Sequence, residues 1–124
     1  MKKKNETIIT SVKKRDGRIV RFDAIRIEQA VAKAFAAAGQ PADGFPVAVA
    51  KRVTTDLKKL KKETGDAGFV PSVELIQDIV EEALMSQGFH QVAKAYILYR
   101  RERIEARRHD AVVPPEVARL ARES

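Results

Sequence analysis

Between positions 13 and 21 the sequence places Lys13, Lys14, Arg15, Arg18 and Arg21, and Arg26 follows one turn into the next segment. From composition alone such a cluster reads first as a solvated hairpin surface. Its placement over the helix ends is what points to a small anion-binding pocket, where a guanidinium matches the oxygens of a phosphate with paired, charge-assisted hydrogen bonds. A second basic set, Arg100, Arg101, Arg103, Arg107 and Arg108, lies toward the other end. Arg100 and Arg103 are three apart, which sets both on one helix face where they can meet a polyphosphate. Arg107 and Arg108 read instead as solvent-facing, on a helix that also carries Glu102 and Glu105. Phosphate oxygens are also held by the unpaired N–H groups that open a helix, and Asp23 and Ser72 each mark such a start. Capping is the first role of both.

Other chemistry is scarce. With no Cys in the chain there is no disulfide framework, thiolate zinc site or cysteine nucleophile. The two His residues, His90 and His109, have no partner at the spacing of an HExxH site, which disfavours a metalloenzyme. Neither a P-loop nor a GxGxxG fingerprint occurs, and the six Gly residues stand singly. Glu74, Asp78, Glu81 and Glu82 fall on a helix as an acidic face that reads as surface. Tyr96 and Tyr99 read as core and core-edge packing, with a ring that either could set beside a base. No catalytic constellation emerges.

The elements that position these residues follow from periodicity. Ile8 to Val12 and Ile19 to Phe22 flank Arg15-Asp16-Gly17-Arg18, and Asp-Gly between β-branched runs predicts a hairpin. Asp23 then caps a helix carrying Ile27, Ala30, Val31, Ala34, Phe35 and Ala38, closed by Gly39. A second helix runs from about Pro46 to Gly65 with Val49, Val53, Leu57 and Leu60 on one stripe. Ser72 caps a third, with Ile76, Ile79, Val80, Ala83 and Leu84 inward and Gly88 as its stop. A fourth starts near Phe89, turns Val92, Ala95, Tyr96 and Tyr99 inward and extends toward Arg107. Val113-Pro114-Pro115 breaks it, and residues 116–124 open another short helix. The fold class is α+β, mostly α: a four-helix bundle-like domain lidded by an N-terminal β-hairpin.

A chain of 124 residues, 44% hydrophobic and 33% charged, has the size and composition of one globular domain. Lys plus Arg is 24 against 17 Asp plus Glu, a net charge of +7, and the excess is confined to the first half. Residues 63–82 carry six acids and no base. No apolar run has the length of a signal peptide h-region or a membrane span, so the expected location is the cytoplasm.

Three stretches resemble the ATP-cone, the regulatory nucleotide-binding domain found at the N-terminus of many ribonucleotide reductases. They are Val12 to Arg18 with Phe22-Asp23 and Arg26-Ile27, then Val73 to Glu81, then Val92 to Arg100, and together they bracket residues 8–103 in the family's order. The wording of the fourth helix and the tail Val113 to Leu120 look most like the anaerobic ribonucleoside-triphosphate reductase, with the adenosylcobalamin-dependent enzyme next. The resemblance implies a short third strand before the third helix. It also implies ATP as an activating ligand and dATP as an inhibiting one, with Mg²⁺ able to accompany the nucleotide. Carried over residue by residue, it assigns Lys14, Arg15 and Arg26 to the phosphates, Asp23 and Ser72 to base or ribose, and Arg100 and Arg103 to the phosphate side, and Lys13 is counted with them among the nucleotide-binding candidates. Arg26 stands where many members have Lys, which keeps the charge and changes the hydrogen-bond geometry.

The implied partners are adenine nucleotides, the catalytic domain of a ribonucleotide reductase and, in a nucleotide-dependent homo-oligomer, further copies of the chain. The implied role is regulation of deoxyribonucleotide synthesis for DNA replication. On this reading residues 1–6 are a basic tail, 7–108 the ATP-cone and 109–124 a linker leading toward a catalytic domain. The reductase's active-site cysteines and the zinc ribbon of repressors that share the module both need Cys. The expectation is therefore a regulatory domain without catalytic residues. The competing reading, a small basic nucleic-acid-binding module, rests on net charge and the hairpin; it lacks a recognition motif and stacking aromatics, which make up only 6% of the chain.

Overall fold

The computed structural model describes residues 8–112, with side chains through residue 106. Two short strands, β1 (Ser11–Lys13) and β2 (Ile19–Arg21), precede four helices: α1 (Ala24–Ala37), α2 (Phe45–Thr64), α3 (Val73–Ser86) and α4 (His90–Val112). The predicted α+β, mostly helical fold is the one observed.

The strands pair antiparallel, Ser11 with Arg21, Val12 with Val20 and Lys13 with Ile19. Their turn closes through Lys14 N–H to the Arg18 carbonyl at 2.7 Å, and Gly17 adopts a φ of +95°, open to glycine without a Cβ clash. Asp16 braces the turn by accepting from Arg18 N–H at 3.0 Å and Arg18 Nε at 2.8 Å. The ladder is shorter than the apolar run predicts. Phe22 N–H still donates to the Thr10 carbonyl at 2.9 Å, but Asp23 must leave the sheet to cap α1, so Ile8 and Ile9 have no opposite strand.

Both predicted caps are present. Asp23 Oδ1 accepts from Ile25 N–H at 3.0 Å, and Ser72 Oγ accepts from Leu75 N–H at 3.1 Å. These bonds satisfy donors that a helix start otherwise leaves open. At the far end of α2, Gly65 takes a left-handed φ of +69° that ends the helix.

Apolar residues at helical spacing then bring the four helices together. Val31 and Phe35 of α1, Val49, Val53 and Leu57 of α2, Val80 and Leu84 of α3, and Val92 of α4 are buried completely or almost so. α1 packs on α2 and α4, and α3 packs on the same two helices, so the four form a closed ring. Phe35, Phe45 and Phe89 cluster at one end, with centroids 4.7 to 5.8 Å apart.

The hairpin sits at the other end. Val12 enters the core, and Lys13 N–H donates to the Pro71 carbonyl at 2.9 Å. Lys13 and Ser72 form a parallel bridge, so the short third strand is a single bridged position immediately before α3. Lys61 Nζ reaches the Ile8 carbonyl at 3.0 Å and joins α2 to the chain entering β1. α4 passes position 108 without a break and continues to Val112. The expected break at Val113-Pro114-Pro115, the short helix over 116–124 and the tail 1–6 lie outside the described residues.

Candidate functional site

Under the hairpin is a cavity of about 480 Å³. Its roof is Val12, Lys14 and Arg15 from β1 and the turn, with Val20, Arg21, Phe22 and Asp23 from β2 and the link to α1. Its walls are Arg26, Ile27 and Ala30 of α1, Val73, Ile76 and Gln77 of α3, and Tyr96, Tyr99, Arg100, Arg103 and Ile104 of α4. On each helix these positions recur three or four apart, the spacing that stacks side chains on one face.

Six of the residues nominated from sequence therefore meet in one place: Lys14, Arg15, Asp23, Arg26, Arg100 and Arg103. Lys13 and Ser72 do not line the cavity. Lys13 is exposed and follows Val12 in the strand, where successive side chains point to opposite faces. Ser72 ends one residue short of Val73, and its hydroxyl is engaged in the α3 cap.

Charge in the cavity is lopsided, with Lys14, Arg15, Arg21, Arg26, Arg100 and Arg103 against the single carboxylate of Asp23. The acidic face of α3, read from sequence as surface, changes that balance. Glu74 Oε2 lies 2.9 Å from Arg15 Nη1. Arg100 Nη1 lies 2.9 Å from Asp78 Oδ1 and also pairs with Glu81. Burial alone would ease the proton off Arg100, but its hydrogen bonds to Glu81 and Asp78 outweigh that and raise its pKa. Glu82 alone of the four acids makes no ion pair among the described residues. Arg21 and Arg26 form none either. Arg103 of α4 makes no ion pair among the described residues, so the uncompensated positive charge is spread over the hairpin, α1 and α4.

The aromatic wall has two characters. Tyr96 is buried, and desolvation pushes its phenol well above the ordinary 10.0, so it stays neutral. The Tyr99 ring is half-buried, with Lys33 Nζ 5.7 Å and the Arg103 guanidinium 5.9 Å from its centroid.

Sequence reasoning passed over Gln77. Its Oε1 is buried and has no hydrogen-bond partner among the described residues. A signal was there to read: Gln77 falls between Val73 and Val80 on the inward stripe of α3, where a polar side chain needs a reason.

A cavity with apolar walls and a cationic rim suits a ligand that joins a flat apolar part to a polyanion. A family model described as the ATP cone domain matches residues 10–105, a span that contains every residue of the cavity. The chain belongs to the ATP cone family. ATP cones are nucleotide-binding regulatory domains of ribonucleotide reductases, in keeping with the resemblance read from the three sequence stretches.

Relatives of this ATP cone are whole reductase chains. It is 39% identical over 102 residues to the vitamin B12-dependent ribonucleoside-diphosphate reductase of Mycobacterium tuberculosis, a match covering 82% of this chain and 13% of that one. It is 36% identical over 110 residues to the ribonucleoside-diphosphate reductase subunit alpha of Chlamydia pneumoniae, covering 83% and 10%. It is 36% identical over 92 residues to the anaerobic ribonucleoside-triphosphate reductase of Salmonella typhimurium, covering 74% and 12%. The chain thus spans only a small part of the relatives it matches. The likeness to the anaerobic enzyme is shared with reductases of other kinds. No helix among the described residues is long and apolar enough to cross a membrane.

Proposed function

We propose that this ATP cone binds ATP and dATP in the cavity beneath the hairpin without hydrolysing them, and that the bound nucleotide regulates a ribonucleotide reductase catalytic region. ATP permits activity and dATP stops it. The observation that carries this reading is the convergence of Lys14, Arg15, Arg26 and Arg103 around walls built from Val12, Ile27, Ile76 and Tyr96. Cationic groups of this kind hold a triphosphate, and the apolar walls accept a base. Mg²⁺ enters as part of the nucleotide complex, held by phosphate oxygens. Residues 109–124 lead toward the catalytic region, residues 1–6 are a basic tail, and the protein acts in the cytoplasm.

ATP and dATP differ by one ribose hydroxyl, so regulation requires that they bind two conformations or assemblies with unequal affinity. The assembly in this reading is a nucleotide-dependent homo-oligomer. Isothermal titration with ATP, dATP and GTP at fixed salt tests the binding step, with both adenine nucleotides expected to bind more tightly than GTP and no phosphate released above a blank. Binding that ignores the base and weakens steeply with salt would instead indicate recognition of a nucleic-acid backbone.

A further inference from the structure

Arg15 is a cavity residue with a competing attachment. It comes from the hairpin turn into the cavity roof, and its Nη1 also lies 2.9 Å from Oε2 of Glu74, in the first turn of α3. Glu74 itself does not line the cavity. Both side chains keep contact with water, at 45% and 35% exposure. An ion pair this open holds by only a few-fold in an equilibrium, and a bidentate guanidinium–phosphate contact is stronger. Arg100 differs: it is shared by Asp78 and Glu81 and is less exposed, whereas Arg15 has a single carboxylate to leave.

The seating of the hairpin on α3 shows what the pair controls. Lys13 N–H bonds the Pro71 carbonyl at 2.9 Å and Lys13 bridges Ser72, through backbone that lies outside the cavity lining. Two residues nearer the tip, the Arg15–Glu74 pair continues this row of ties through side chains. An anion in the cavity and the Glu74 carboxylate outside it therefore draw the same guanidinium in different directions.

We propose that Glu74 is a built-in competitor for the anionic ligand of this cavity: it holds Arg15 and pins the hairpin tip to α3 until a nucleotide phosphate takes the guanidinium, which frees Glu74 and unties the tip. The proposal rests on the nucleotide-binding reading above and adds a control on affinity and on the position of the hairpin. A carboxylate in the first turn of α3 also suits the partial positive charge of a helix start, a stabilising role that does not involve Arg15.

Calorimetric titration of the chain with ATP separates the two roles. Glu74→Gln keeps the length and removes the charge, and should tighten ATP binding roughly threefold. Its melting temperature reports separately any loss at the start of α3. Glu82→Gln is the control, an exposed carboxylate of the same helix with no ion pair among the described residues. Its loss changes the net charge equally and should leave ATP affinity nearly unchanged. Placed on Arg15→Gln, Glu74→Gln should tighten nothing, because the shared guanidinium is gone. Unchanged or weaker ATP binding by Glu74→Gln, a gain equalled by Glu82→Gln, or a gain that survives Arg15→Gln would overturn the competition while leaving the nucleotide site in place. Absence of ATP binding by the unaltered chain and the Glu74→Gln variant alike would overturn the nucleotide reading itself, and this proposal with it.

Discussion

Arg26 and Arg100 line the same cavity and do different work there. Arg26 has no ion pair among the described residues, so its charge is available to a ligand. Each charge-assisted hydrogen bond contributes about 1.5–3 kcal/mol, so Arg26→Ala should weaken ATP binding at least about tenfold and leave the melting temperature nearly unchanged. Arg100 is committed to Asp78 and Glu81, its side chain only 17% exposed. Arg100→Ala should therefore lower stability, by on the order of 1 kcal/mol because Asp78 keeps much of its contact with water. Calorimetric titration and thermal melting of the two variants, run side by side, check the contrast. This distinction was out of reach of the sequence. Arg100 and Arg103 look equivalent as members of one basic helix face, and only the packing of α3 on α4 shows which guanidinium is already answered. Gln77 was hidden similarly, because an unpaired oxygen is a property of its neighbours rather than of its residue type.

Among the elements, those governed by local rules were legible. Asp23 and Ser72 cap helices because a short polar side chain before an apolar-periodic run can reach the open N–H groups, and both were readable as such. The core stripes of α1, α2 and α3 were readable for the same local reason. Strand length was not, since it depends on where the partner strand ends, and β2 ends when Asp23 is drawn into α1. Ser72 separates the two kinds of information well. Its type and position announce a cap, but the single bridge to Lys13 and the absence of its hydroxyl from the cavity are consequences of how the hairpin seats on α3. Ser72→Ala should thus cost about 1 kcal/mol, a fall of roughly 4 °C or more in melting temperature, while direct nucleotide contacts are preserved. A stable Ser72→Ala chain with abolished ATP binding would instead make that hydroxyl a ligand contact.

At the scale of the molecule, α2 stands apart from the cavity. It contributes none of the lining residues, while the hairpin, α1, α3 and α4 supply all of them. A ligand in the cavity would touch the hairpin and three helices but not the fourth, which anchors the core through Val49, Val53 and Leu57. In the proposed reading its binding adjusts the packing of those three helices against α2. If that adjustment is read out as assembly, sedimentation of the chain saturated with ATP, with dATP and with neither should give different mass distributions. Identical distributions would rule out self-association of this chain as the response to ligand.

α4 also has a mechanical character. It carries Tyr96, Tyr99, Arg100, Arg103 and Ile104 into the cavity wall and then continues without interruption to Val112. At 1.5 Å per residue, roughly 13 Å of helix extends beyond Arg103. A hydrogen-bonded rod of that length bends little, so a tilt of a few degrees beside the ligand is delivered beyond the cavity as a displacement of about 1 Å. In the proposed reading the distance between a nucleotide and a partner of α4 would be bridged by leverage, the ligand having only to set the angle.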